Sequence, residues 1–376
     1  VRRIYLDHAS TTPLRPAARV AIAEVLDGPF GDPSRLHEEG RLVRDVVETG
    51  RDQVAAFFGV TPRQVIFTSG ASESIHHANW SAQVHKKGVV ALAPVEHSSV
   101  VESARRFADV IDLDVDGFGR INFEATTVGG SKDVPISLVH CQFGNHEVAT
   151  LQPVEEAGAF ARRNAAWLHI DAACAAGHIP LHLNNFEWDL ISVSSHELGG
   201  PAGVGALIIR RGLRLAPFFI GSQQERARRA GFENVIGIVG FGAALASLDE
   251  ATLADESAKA KHQSDLLVSR SSQIGGVTQV GDPTHRLPHI ICLGIEGIEA
   301  EPVLMGLDRK GVAVHSGSAC SAESLEPSPI LAAMGVDPSR SLRLSVGWTT
   351  TDDDVERFAP LLDDVVANLR ELRGSL

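Results

Sequence analysis

The chain reads as an α/β protein: a large, mostly parallel sheet covered by helices on both faces, followed by a smaller α+β unit. Three observations carry that reading. Short apolar runs alternate with helix-like segments between residues 64 and 209, the pattern of parallel strands joined by crossover helices. The 376 residues are 44% hydrophobic and 22% charged, the balance of a globular chain with a large core. Beyond residue 272 the alternation loosens into separate strands and helices.

Each element follows from its local pattern. Strands are expected at Gln64–Thr68, Val89–Leu92, Ile136–Val139, Trp167–Ile170, Leu190–Val193 and Gly205–Ile209. Helices are expected at Ser72–Val84, Ser98–Phe107 and Pro153–Arg163. From Glu233 to Ser272 the alanine-rich pattern predicts one long helix linking two domains. The rest alternates less regularly: strand Pro288–Leu293, helix Pro302–Lys310, strand Ser341–Val346 and helix Asp352–Leu372. The first 20 or so residues are expected to pack against that last part, because an arm needs a partner to be ordered. The division expected is a large domain of residues 13–250 and a small one of residues 1–12 with 251–376.

Charge and composition exclude some functions. Lys+Arg is 34 against Asp+Glu 47, a net of −13, so no nucleic-acid partner is expected. No apolar run approaches the roughly 18–20 residues of a membrane span, and the N-terminal stretch lacks the apolar core of a signal peptide. Four cysteines do not make a disulfide framework and suit a reducing compartment. The expected location is cytoplasmic. The lysines are Lys86, Lys87, Lys132, Lys259, Lys261 and Lys310.

Four segments carry candidate chemistry, each with a plainer alternative. Phe67–Ser74, with Gly70, Ala71 and Ser72, leaves a strand and opens a helix; it reads as an anion cradle or as an ordinary capped turn. Asp171 ends a strand, where it can pair with a pyridinium nitrogen or cap a helix. Ser194 to Gly203, with His196, is a glycine-rich bend around a ligand or a plain loop. Val314 to Ser321 is small and polar around Cys320, which suits an exposed thiol nucleophile or persulfide carrier better than a buried structural cysteine.

Together these segments resemble the cysteine desulfurases, the NifS/IscS-like branch of the class V aminotransferase fold, nearly end to end and in order. Tyr5 to Pro13 is similar to the family's YLDxAATTP, and Gly31 to Ser34 with His37, Gly40 and Arg41 to GNPSSxHxxGR. Further matches are Val95-Glu96-His97, Asn145-His146-Glu147 with Gln152-Pro153, and Gln224-Glu225-Arg226 with Arg229 and Gly231. Ser316 to Glu326 resembles the long-loop SGSACxxxxLEPS, and Ser341 to Ser345 resembles SIRFS. The resemblance implies a PLP-transferase fold of type I and a homodimer, since the family builds each site from two subunits. It implies a small-molecule substrate and a sulfur-acceptor protein. In the family, pyridoxal phosphate (PLP) is held as a Schiff base to lysine. Carried over, His97 stacks on the ring and assists proton transfer, Asp171 holds the pyridine nitrogen, and Asn145 meets the ring oxygen. Gly70, Ala71, Ser72, Ser194 and His196 hold the phosphate, Arg343 the substrate carboxylate, and Cys320 takes the sulfur.

The sequence departs from that pattern at the chemistry. Glu197 stands where the family has its lysine, after the phosphate-loop histidine. Cys174, Phe232, Ala202 and His146 replace glutamine, threonine, lysine and asparagine. A phosphate needs donors and positive charge, and each charge-assisted hydrogen bond removed costs roughly 1.5–3 kcal/mol. The expectation is therefore no PLP bound through lysine, with PLP held weakly or not at all. Sulfur transfer then rests on Cys320 as the persulfide-forming nucleophile, with His97 or Glu197 as the base. The alternatives are a PLP-independent enzyme using His97, His146, Asp171, Cys174, His196 and Glu197 as acid–base groups or, less readily, as zinc ligands, or a non-catalytic scaffold for a sulfur acceptor. No metal site is expected, because no tight ligand spacing is present.

Overall fold

Seven strands build the main sheet of the computed structural model, which describes residues 2–124, 134–316 and 327–374. The chain opens with β1 (Ile4–Tyr5), α1 (Pro16–Leu26), α2 (Glu38–Phe57), β2 (Val65–Thr68), α3 (Ala71–His85), β3 (Val89–Leu92), α4 (Ser98–Phe107) and β4 (Val110–Asp112). It continues with β5 (Ile136–Gln142), α5 (Val154–Arg163), β6 (Trp167–Asp171), β7 (Leu190–Ser194), β8 (Gly205–Ile209), the single turn α6 (Gln224–Ala227), α7 (Val235–Ala246) and α8 (Glu250–Ser271). It ends with β9 (Val277–Val280), β10 (Ile290–Ile295), α9 (Ala300–Arg309), β11 (Val312–Ala313), α10 (Pro329–Ala333), β12 (Ser341–Ser345) and α11 (Asp352–Gly374).

The order in the main sheet is β2-β8-β7-β6-β5-β3-β4. Strands β4, β3, β5, β6 and β7 run parallel, while β8 runs antiparallel to both its neighbours. The reason lies in the connection. Residues 195–204 join β7 to β8 without a helix, and a parallel return needs a crossover of a dozen or more residues, usually helical. Strands β5 to β8 are buried along their length, as expected of a sheet covered on both faces. Gly205 opens β8 at a crowded point. A Cβ there would lie 2.4 Å from the Val193 carbonyl oxygen and 2.7 Å from Gly70 Cα, so strand and anion-cradle loop meet only because this residue is glycine.

A second hydrophobic core forms where β9, β10 and β12 make an antiparallel sheet in the order β12-β10-β9. Ile4 and Leu6 join it alongside Leu267, Ile291, Leu293, Leu344, Phe358 and Leu362. Strand β1 pairs in parallel with β11. The N-terminal arm therefore divides: β1 joins the second core, whereas α1 packs on α7, so the expected docking of the first 20 residues is corrected beyond the strand.

The long helix expected over Glu233–Ser272 is two helices, α7 and α8, bent by 81°. Asp249 makes the break. Its extended backbone (φ −63°, ψ 169°) starts a new helix and its carboxylate accepts the Thr252 N–H at 2.8 Å. Among the described residues no single helix is long and apolar enough to cross a membrane.

Candidate active site

The candidate residues gather at the carboxyl ends of β3, β5, β6 and β7, where open α/β sheets bind their ligands. Asp171 is the last residue of β6 and lies opposite Ser192 of β7 in the parallel register. Ser192 Oγ donates to Asp171 Oδ1 at 3.0 Å and the Ala173 N–H donates to the same oxygen at 3.1 Å. Burial raises the Asp171 carboxyl above its usual range, and nearby His97 opposes that rise. His97 caps α4. Its Nδ1 accepts the Ser99 N–H at 3.1 Å, which leaves the proton of the neutral ring on Nε2. The ring meets His146 edge to face, with centroids 4.8 Å apart. Burial, followed by His97 and Arg343, keeps His146 neutral by lowering its pKa well below the ordinary value.

Glu197 lies in the loop after β7. The Cys174 thiol donates to Glu197 Oε2 at 2.9 Å, and the Glu197 carbonyl meets His178 Nε2 at 3.1 Å. Burial pushes the Glu197 carboxyl up to about 7; neighbouring Asp171 adds to the rise, while Cys174 and Arg343 oppose it. Burial and then Glu197 drive the Cys174 thiol far above its ordinary value. A carboxyl that exchanges its proton near neutrality suits acid–base work; a thiol held protonated serves as a donor, not as a nucleophile.

The anion cradle has two sides. Gly70 precedes α3, with Ala71 and Ser72 in the first turn. Glu73 turns back onto this helix start, accepting the Ser69 N–H at 2.7 Å and pairing with Arg229 at 2.9 Å. Against its burial, Arg229 and Ser69 hold the Glu73 carboxyl below its usual range. Ser194 is buried at the end of β7 opposite Gly205. The His196 carbonyl accepts the Thr12 N–H at 3.1 Å, and burial lowers the His196 pKa although its ring bonds the Ser10 backbone.

Asn145 and Arg343 do not stand free, as their expected roles require. Asn145 Nδ2 donates to Val95 O and Gln142 Oε1, and its Oδ1 accepts the N–H groups of Glu147 and Val148. All four hydrogen-bonding positions of the amide are in use, so Asn145 builds the turn after β5 and has none left for a ring oxygen. The guanidinium of Arg343 donates to Asp7 Oδ1 at 3.0 Å, to Ser10 Oγ at 2.6 Å and to the His146 carbonyl at 3.0 Å. Asp7 holds one nitrogen of the guanidinium expected to bind a substrate carboxylate.

Cys320 lies outside the described residues, but the chain on either side of it is described. His315 and Arg343 exchange backbone hydrogen bonds of 3.3 and 2.7 Å. Ser328 Oγ donates to Glu147 Oε2 at 2.7 Å. The described residues that flank it, His315 and Ser328, are thus bonded to Arg343 and Glu147 beside the cleft.

Three features escaped the sequence reading: the Asp7–Arg343 pair, the Glu147–Ser328 contact, and a buried carboxyl at Glu96. Glu96 Oε1 accepts the Gln142 N–H at 2.8 Å while Oε2 has no partner among the described residues. Burial pushes this carboxyl up to about 8, with nearby Asp171 adding to the rise. The signal was available in part, since Glu96 and Glu147 sit inside quoted motifs among apolar neighbours.

The described lysines are all elsewhere. Lys86 Nζ bonds the carbonyls of Ile136 and Ala165, and Lys259 Nζ that of Thr350. Lys261 pairs with Asp265 and Lys310 with Asp364, and Lys87 is exposed in the turn after α3. The donor set does not fit an aldehyde cofactor linked to lysine: a carboxylate on Cys174 stands in this cleft, and none of the described lysines reaches it. Nor do the described His, Cys, Asp and Glu side chains form a group of three able to hold a metal ion.

The seven-stranded sheet, the second core and the cleft at the strand ends define a fold-type-I architecture, and residues 4–358 match the family model for class-V aminotransferases. The chain belongs to that family. It is 36% identical to the putative cysteine desulfurase IscS 1 of Bacillus subtilis over 98% of this chain and 100% of that one. It is 34% identical to the cysteine desulfurase IscS of Methanosarcina thermophila, over 99% and 94% respectively. Among solved structures, a NifS-like protein superposes with a TM-score of 0.87 at 28% identity, covering 97% of this chain and 99% of that one.

Proposed function

We propose that this protein transfers sulfane sulfur through Cys320 and does so without a lysine-linked PLP. The observation that carries the proposal is the anchoring beside the cleft of the described residues that flank Cys320, His315 on Arg343 and Ser328 on Glu147. Full-length similarity to cysteine desulfurases supports the same chemistry.

The step balances without an oxidant. The Cys320 thiolate attacks the outer sulfur of a persulfide donor, R–S–SH. A new S–S bond forms at Cys320 as the donor's S–S bond breaks, and the donor leaves as the thiol R–SH. Glu197 accepts the proton that Cys320 loses and returns it to the departing sulfur, to which the His97 Nε2–H donates a hydrogen bond. The product is a protein persulfide ready for a sulfur-acceptor protein.

A homodimer accompanies this reading. Phe219, Ile220 and Phe232 are exposed on neighbouring loops tied by the Ala230 N–H to Phe219 carbonyl bond. Large apolar side chains grouped in this way mark a protein interface.

A second reading, a PLP-independent enzyme working from the cleft itself, draws on the Cys174–Glu197 contact. One experiment separates the two. The protein is treated with a low-molecular-weight persulfide and its intact mass is measured. A gain of about 32 Da that Cys320→Ala abolishes and Cys174→Ala retains fits sulfur transfer through Cys320. A gain that survives Cys320→Ala contradicts it.

A further inference from the structure

The cleft has an uneven charge balance. Asp171 lies close enough to Glu197 and to Glu96 to raise both carboxyls. The cation next to them, Arg343, is bonded to Asp7. Among the described residues the donors on these carboxylates fall on one oxygen each: Oδ1 of Asp171 takes Ser192 and Ala173, and Oε2 of Glu197 takes Cys174. The second oxygen of each takes no donor from the described residues. Asp171 and Cys174 retain 9% of their surface, so the group opens to the cleft.

An aldehyde gains nothing from an acceptor-only side chain; it needs an amine. A carboxylate at this point is complementary to a primary ammonium, which donates up to three charge-assisted hydrogen bonds. We infer that Glu197 is the counter-ion for a primary ammonium group on the ligand, so that the cleft takes the amine form of the pyridine ring, pyridoxamine 5′-phosphate, and discriminates against the aldehyde. This rests on the reading that no lysine-linked PLP is held. Cys174 is a positioning residue here, its thiol fixing Oε2 and leaving Oε1 for the ligand.

The test compares two probes that differ only in that group. Pyridoxamine 5′-phosphate and pyridoxal 5′-phosphate are titrated into the full chain by calorimetry, with ring fluorescence as an independent readout for the amine. Phosphate and ring contacts are common to both and cancel. The wild type binds the amine at least about tenfold more tightly, the scale of one charge-assisted hydrogen bond. Glu197→Gln, close in shape and checked by circular dichroism, removes most of that preference by weakening amine binding. Glu197→Lys reverses it, giving an absorption band at roughly 410–420 nm with the aldehyde that resists dialysis. Equal affinities, tighter aldehyde binding, or no binding of either probe at millimolar concentration would each overturn the inference. Loss of the preference alongside a Cys320 persulfide would sink this inference alone; loss of the persulfide sinks the function proposed above.

Discussion

At the scale of single residues, the protein is governed by carboxyls kept inside it. Burial holds Glu96 and Glu147 protonated up to about 8 and Glu197 up to about 7, above the ordinary 4.5. The unfolded chain loses those protons near 4.5, so the folded state binds more protons between there and about 8. Their contribution to stability is complete below 4.5 and is lost as pH rises to about 8. Burial pushes His8 and His178 down to about 4 and His169 to about 3, from 6.5. Their contribution has the opposite sign: it is present above 6.5 and is lost as pH falls toward those values. Urea unfolding over a pH series should give a stability that declines from about pH 6.5 to 8, where the histidine contribution is already complete, and Glu147→Gln should flatten that decline. An unchanged slope in the variant would count against the assignment. A different residue-scale effect concerns Arg51, whose guanidinium makes two 2.7 Å bonds to Glu225 in a site 3% and 6% exposed. Glu225 also holds a turn in which Glu225, Arg226 and Ala227 all have positive φ. Glu225→Ala leaves the buried guanidinium only Glu48 and the Val65 carbonyl and should cost about 3 kcal/mol in chemical denaturation; a loss under about 1 kcal/mol would mean that those partners suffice.

At the scale of elements, the sequence was legible where a period is sustained and illegible where one residue redirects the chain. All six strands expected between residues 64 and 209 occur, because apolar β-rich runs bounded by polar turns have few other uses. Helix α2 was missed although its buried residues Val43, Val47, Gly50 and Val54 recur at helical spacing; the charged residues between them masked the stripe. The bend between α7 and α8 was missed because alanine-rich composition runs through it, and the break depends on one cap. Asp249→Ala should destabilise the protein by about 1 kcal/mol through loss of that cap, read as a fall in thermal midpoint. The cleft was legible as a set of positions but not as a set of bonds. Residues at the ends of β3, β6 and β7 can be read from pattern, whereas the partners of Arg343 and Asn145 come from Asp7 and Val95, distant in sequence.

At the scale of the whole molecule, two hydrophobic cores and one cleft make a class-V aminotransferase fold, and the chemistry proposed for it rests on the Glu197 carboxylate. The apolar patch at Ile220 and Phe232, 85% and 60% exposed, predicts a dimer in solution. Replacing both with glutamate should give a monomer by light scattering at micromolar concentration, and a dimer that persists would move the interface elsewhere. The central claim is that no lysine here holds PLP. The direct measurement is the absorption spectrum of the purified protein, incubated with PLP and dialysed exhaustively. The account predicts no retained band at roughly 410–420 nm, and a band that survives dialysis would contradict it.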